Sequence, residues 1–170
     1  MPGLVRGYGA LRRGRYSAPD TDYFLTICLR RPTWGFSHAG LREQCIDTMR
    51  HLEGEEIWIV RSAVVMPDHL HMLAMLRRAA ELSDAVRLFK GRLSPALRKQ
   101  GVRWQPNFYD HRMRADEDRL PVFLYMYLNP YRAGLVAGDQ PWAGYLCSEH
   151  DWQWFGKLTN EPCPQPEWLH

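Results

Sequence analysis

Two short patterns in the chain carry side chains able to do phosphoryl or metal chemistry. The first is His69-Leu70-His71, which follows Pro67 and Asp68. Alternate residues of a strand share a face, so His69 and His71 project together while Leu70 points the other way. Paired neutral imidazoles can chelate one divalent cation, or can stand as hydrogen-bonded structural histidines. Asp68 can orient one ring as a carboxylate behind it, or simply shape the turn. The second pattern is Tyr125-Met126-Tyr127-Leu128-Asn129-Pro130. Residues four apart share a helix face, so Tyr125 and Asn129 present a phenol and an amide to one point. Tyr127 lies about 200° round the helix from Tyr125. A tyrosine on an amphipathic helix is ordinarily core. It becomes a nucleophile only where something polarises its electrophile and helps a phenol of pKa near 10 lose its proton.

The elements that must position these groups are legible from period and turn chemistry. Tyr23 to Leu29 alternates and predicts a strand. Ser37 is expected to cap a helix over 38–52, with Leu41, Cys45, Ile46 and Met49 on its apolar face. Ile57 to Val65 and Leu70 to Leu76 form a hairpin about Pro67-Asp68, and Ser83 opens a helix to about Lys99 with Val86, Phe89, Leu93 and Leu97 inward. A short strand is expected within 102–113. Asp116, Glu117 and Asp118 suit the positive end of a helix that runs through Leu128 and is stopped by Pro130 and Gly134. The order predicts an α+β fold: a ferredoxin-like split βαβ antiparallel sheet with helices on one face. Residues 1–20 are expected as a basic arm, 21–138 as the domain, and 139–170 as an aromatic, Pro-rich tail folded back on it.

Composition narrows the partners. The 170 residues are 45% hydrophobic and 24% charged, which suits one compact domain. No run approaches the ~18 apolar residues of a membrane span, and no signal peptide opens the chain, so a soluble cytoplasmic protein is expected. Cys28, Cys45, Cys147 and Cys163 are too scattered for a zinc cluster or disulfide framework. The net charge of +3 is unevenly spread: residues 1–50 hold eight Arg against four acids, and residues 77–114 hold ten Lys or Arg against three. Arg suits phosphate oxygens and base edges, which points toward nucleic acid. The candidate phosphate contacts are Arg12, Arg13 and Arg15 on the arm, Arg87, Lys90 and Arg92 on the basic helix, and Arg112 and Arg114 beside Asp110 and His111. Absence of a GxxxxGK[ST] loop argues against a nucleotide cofactor.

Three segments in order, Val64 to Leu73, Trp104 to Arg114 (WQPNFYDHRMR) and Tyr125 to Val136 (YMYLNPYRAGLV), make the chain resemble the REP-associated tyrosine transposases. These are relatives of the single-tyrosine IS200/IS605 transposases within the His-hydrophobic-His nuclease superfamily. The resemblance implies that His69 and His71 bind Mg²⁺ or Mn²⁺ with Asn129, where IS200/IS605 relatives commonly have Gln, and that Tyr125 is the nucleophile. Tyr127 and Tyr131 are the runners-up. It implies supporting roles for Asp68, Asp110 and His111. The implied activity is single-strand nicking and strand transfer through a 5′-phosphotyrosine on hairpins of REP-type palindromes, at the bacterial nucleoid, by a monomer, with the dimer of IS200/IS605 relatives as the alternative. A hairpin-binding protein without efficient cleavage, and a phosphodiesterase using activated water, are the competing readings. Trp142, Trp152, Trp154 and Phe155 are expected either to stack unpaired bases or to pack the tail.

Overall fold

The computed structural model describes residues 17–18, 20–30, 34–77 and 81–159. Arg12, Arg13, Arg15 and Cys163 lie outside them. Five strands form one antiparallel sheet in the order β4-β1-β3-β2-β5: β1 Asp22–Cys28, β2 Trp58–Val65, β3 His69–Leu76, β4 Tyr109–Arg112 and β5 Tyr145–Cys147. The helices are α1 Ala39–Gly54, α2 Leu82–Lys99, α3 Leu120–Arg132 and α4 Glu149–Phe155. The α+β class and the β1-α1-β2-β3-α2-β4 core follow the sequence expectation.

Placement on one face holds for α1 and α2 only. They cover the side formed by Tyr23, Leu25 and Ile27 of β1 and by Leu70, Met72, Ala74 and Leu76 of β3. Phe24, Val64 and Leu73 face the other way and pack against Phe123, Leu124, Met126 and Phe155 of α3 and α4. The sheet is therefore covered on both faces. That explains why β2 and β3 read as nearly continuous apolar runs rather than as alternating strands.

A bulge at Arg61 makes the double coverage possible. Trp58 and Val60 face α1 and α2, but beyond the register shift between Val60 and Ser62 it is Ala63 and Val65 that do so. One extra residue inverts the parity, which frees Ser62 and Val64 for the α3 side. The displaced Arg61 donates from Nε to Asp22 Oδ1 at 3.0 Å, while Arg119, just before α3, donates to Asp22 Oδ2 at 2.8 Å. Asp22 is only 3% exposed, so two guanidinium partners satisfy a carboxylate that burial would otherwise penalise.

Several local expectations are corrected. Ser37 caps nothing: it closes a 3-10 turn, Gly35–Ser37, and His38 occupies the N-cap position of α1 without a side-chain bond. Pro130 lies inside α3. The stop comes at Gly134, whose φ of 66° allows Gly134 N to bond Tyr131 O and Leu135 N to bond Pro130 O. At the other end, Asp118 accepts from Leu120 N at 2.9 Å, as its carboxylate suggested. Within the segment expected as a tail folded back on the domain, residues 139–159 carry regular elements: β5 pairs with β2, and α4 is capped by Ser148, which accepts from Asp151 N at 3.0 Å.

The β5 junction has no spare room. A Cβ on Gly144 would lie 2.6 Å from Val65 O and 2.5 Å from Trp142 Nε1. Gly144→Ala is expected to cost about 1–3 kcal/mol of stability in urea unfolding, whereas Gly138→Ala, with open space around it, should stay within about 0.5 kcal/mol. Equal effects would show that β5 does not close on β2 as described.

Candidate active site

Register places the functional groups. His71 pairs with Thr26 of β1 on one side and Val64 of β2 on the other, and His69 pairs with Cys28. Thr26, Cys28, His69 and His71 therefore share the α3 face, with Leu70 buried on the other. The two imidazole centroids lie 4.7 Å apart at 74°. His71 is 6% exposed and stacks on Phe24 at 5.4 Å, 18° from parallel.

Both rings are fixed through Nδ1. His69 Nδ1 donates to Asp68 Oδ1 at 2.7 Å, the only direction possible toward a carboxylate, which leaves Nε2 as the ring nitrogen turned to the site. His71 Nδ1 lies 2.9 Å from Thr26 Oγ1. With that nitrogen protonated, His71 Nε2 faces the Tyr125 hydroxyl at 3.4 Å as an acceptor. Desolvation, with His69 as a lesser cause, pushes His71 down from 6.5 to about 3, so it is neutral at ordinary pH. Burial raises the Tyr125 phenol, while a hydrogen bond from Asn129 and the charge of Arg132 oppose the rise.

The helix spacing accordingly brings Tyr125 to His71, with Asn129 hydrogen-bonded to the same phenol. Tyr127 points elsewhere: its ring meets Tyr145 at 5.3 Å and Phe155 at 5.8 Å. Tyr131 donates its hydroxyl proton to Gln140 O at 2.9 Å. Among the described residues no group of three or more His, Cys, Asp or Glu side chains could hold a metal ion. What the site offers is two imidazoles that present their Nε2 atoms on one face, with an amide on the helix above them, and this nitrogen and oxygen set fits a divalent cation.

The remaining sequence candidates divide. His111 stands opposite Phe24 on the same face, and its Nε2 donates to Glu117 at 2.9 Å. Asp110 is opposite Leu25, on the other face, so it does not join the histidines. Arg112 and Arg114 are exposed. The basic helix α2 packs on the sheet face away from His69 and His71. There Lys90 does not simply project into solvent: its ammonium donates to Gln105 O at 2.8 Å and Asn107 O at 3.0 Å, which closes the following loop. Arg92 forms a two-point pair with Glu55, and Arg87 pairs with Asp84. Of the aromatics, Phe155 is buried, Trp142 donates to Val65 O, Trp154 to Asp151, and Trp152 remains 43% exposed. Thr26, Phe24 and Arg132 were missed. Arg132 is seven residues, two helical turns, after Tyr125, a spacing that could have found it. Thr26 needed the strand register.

The chain matches the family model described as "Transposase IS200 like" over residues 22–116. It is 26% identical over 137 residues to the REP-associated tyrosine transposase of Escherichia coli (strain K12), covering 75% of this chain and 77% of that protein. A solved structure of a REP-associated tyrosine transposase bound to a REP hairpin aligns with a TM-score of 0.58 and 27% identity, over 72% of this chain and 73% of the other.

The buried neutral His71 has a signature in the metal-free protein. An unfolded imidazole takes up a proton near 6.5, the folded one only near 3. Stability is thus complete above about 6.5 and lost as pH falls, because only the unfolded chain gains the proton. Urea midpoints between pH 6.5 and 5 should decline, and His71→Gln should flatten the decline. An unchanged slope in that variant would mean that His71 is charged in place.

Proposed function

The chain belongs to the IS200-like transposase family, and from that premise we propose that it nicks and rejoins single-stranded DNA beside REP-type hairpins, with Tyr125 as nucleophile. The observation that carries this reading is the approach of the Tyr125 hydroxyl to His71 Nε2 at 3.4 Å, next to a second imidazole with an open Nε2. A protein of this family known as a hairpin complex supplies the substrate class. Among the described residues no helix is long and apolar enough to cross a membrane.

The residues divide the work by their chemistry. His69, His71 and the Asn129 amide would hold Mg²⁺ or Mn²⁺, which when bound withdraws charge from a non-bridging phosphate oxygen. Asp68 and Thr26 hold the rings so that Nε2, not Nδ1, faces the substrate. Asn129 and Arg132 favour the phenolate of Tyr125 against the burial that opposes it. The Tyr125 oxygen attacks phosphorus in line and loses its proton, and the bond from phosphorus to the 3′ oxygen breaks. That oxygen takes up a proton and leaves as a 3′-hydroxyl. The phosphodiester energy is retained in the 5′-phosphotyrosine, so a second 3′-hydroxyl can reverse the reaction without a nucleotide cofactor.

With Mn²⁺ and a REP hairpin carrying single-stranded flanks, the protein should give an adduct that survives denaturing gels and disappears with chelator. Tyr125→Phe should abolish it and Tyr127→Phe should not, while Asp68→Asn should slow cleavage about 10- to 100-fold. An adduct formed by Tyr125→Phe would sink the assignment. Hairpin binding without cleavage in any divalent metal would favour the binding-only reading.

A further inference from the structure

Large exposed apolar side chains are few among the described residues: Trp34, Leu88, Tyr109 and Trp152. Of these, only Tyr109 stands in the row of the sheet that holds the catalytic imidazole. It pairs with Thr26, and Thr26 pairs with His71. The shared face is fixed by the Thr26–His71 bond, which requires both side chains to point toward α3. Two strand spacings separate Tyr109 from His71, a span of ~10 Å.

The surface between them is less covered than the rest of that face. α3 lies over β2 and β3, and the β1 side chains nearest the histidines, Thr26 and Cys28, are only half-buried, in contrast to Phe24 further along. Tyr125 and Asn129 stand on one side of this strip and Tyr109, 43% exposed, on the other. Exposed arginines flank it. Arg30 and Arg103 are joined by a backbone bond where β1 ends and Arg114 follows β4, whereas Arg112, opposite Tyr23, points to the other face.

We infer that Tyr109 is a stacking platform for an unpaired nucleobase of the strand presented to His69 and His71. It is thus a positioning residue for the reaction proposed above, on which this inference rests. Every base has a π-face that an aromatic ring can cover, and the flanking arginines suit the phosphates on either side. A base held on Tyr109 sets its phosphodiester over Thr26 and the imidazoles, within reach of Tyr125. The ring carries the role and the hydroxyl does not.

The test compares a REP hairpin bearing a single-stranded 5′ extension with the same hairpin made blunt. Stacking of one base predicts that Tyr109→Leu weakens binding of the extended probe about 5- to 150-fold, leaves the blunt probe unchanged, and that Tyr109→Phe behaves as wild type. 2-Aminopurine scanned through the extension should be quenched at one position by the wild-type protein, a readout that does not depend on any variant folding. Equal affinity of Tyr109→Leu for the extended probe, or no quenched position, overturns the inference while leaving the transferase reading intact. Loss in Tyr109→Phe equal to that in Tyr109→Leu overturns it in favour of the hydroxyl. Failure of the wild-type protein to bind either probe overturns the underlying reading and the inference with it.

Discussion

The bond between His71 Nδ1 and Thr26 Oγ1 is the constraint on which the site depends. An imidazole has two nitrogens, and only one can be left for substrate or metal once the other is committed. By engaging Nδ1 from the neighbouring strand, Thr26 decides that Nε2 looks toward α3. The stacked Phe24 ring keeps His71 from rotating and shields it from water, which also holds it neutral. A charged imidazole there would have no lone pair to offer on either side.

The phenol reaches that nitrogen only if α3 sits at the right height over the sheet. Its N-terminus is tied by Arg119 to Asp22 on β1, and the same carboxylate holds Arg61 of β2. Arg61 also approaches Asp151 of α4 at 3.7 Å. Asp22 therefore links two strands to α3, and Arg61 carries the connection on to a second buried acid in α4. Such a carboxylate would be costly alone, but with two guanidinium groups it is a fixed reference point for the helix that carries Tyr125 and Asn129. The far end of α3 is set by the αL turn at Gly134.

Much of this was legible in the sequence, and the failures have identifiable physical causes. His69 and His71 on one face, and Tyr125 with Asn129 on another element, follow from periods of two and 3.6 residues that packing does not alter. Placing α3 across the sheet from α1 and α2 could not be read, because a buried β-strand shows no polar side by which to tell its faces apart. Ser37 had the right residue type for a cap, but the chain tightens into a 3-10 turn before α1 begins. Lys90 has the composition of a DNA contact, yet its long stem lets the ammonium fold back onto loop carbonyls, which no spacing rule foresees. Pro130 seemed a terminator. The helix tolerates it one turn from an end already closed by glycine.

The unpaired residue at Arg61 has a consequence for how this fold can vary among descendants. Losing the codon for Arg61 would leave a regular strand with every neighbour on the side it already faces, Trp58, Val60, Ala63 and Val65 toward α1 and α2, Ser62 and Val64 toward α3. What such a loss removes is one guanidinium from Asp22, so the error would reach the α-helix bearing Tyr125 through a carboxylate left with Arg119. At this point of the strand it is the arginine, rather than the sidedness of its neighbours, that a shortened chain would forfeit.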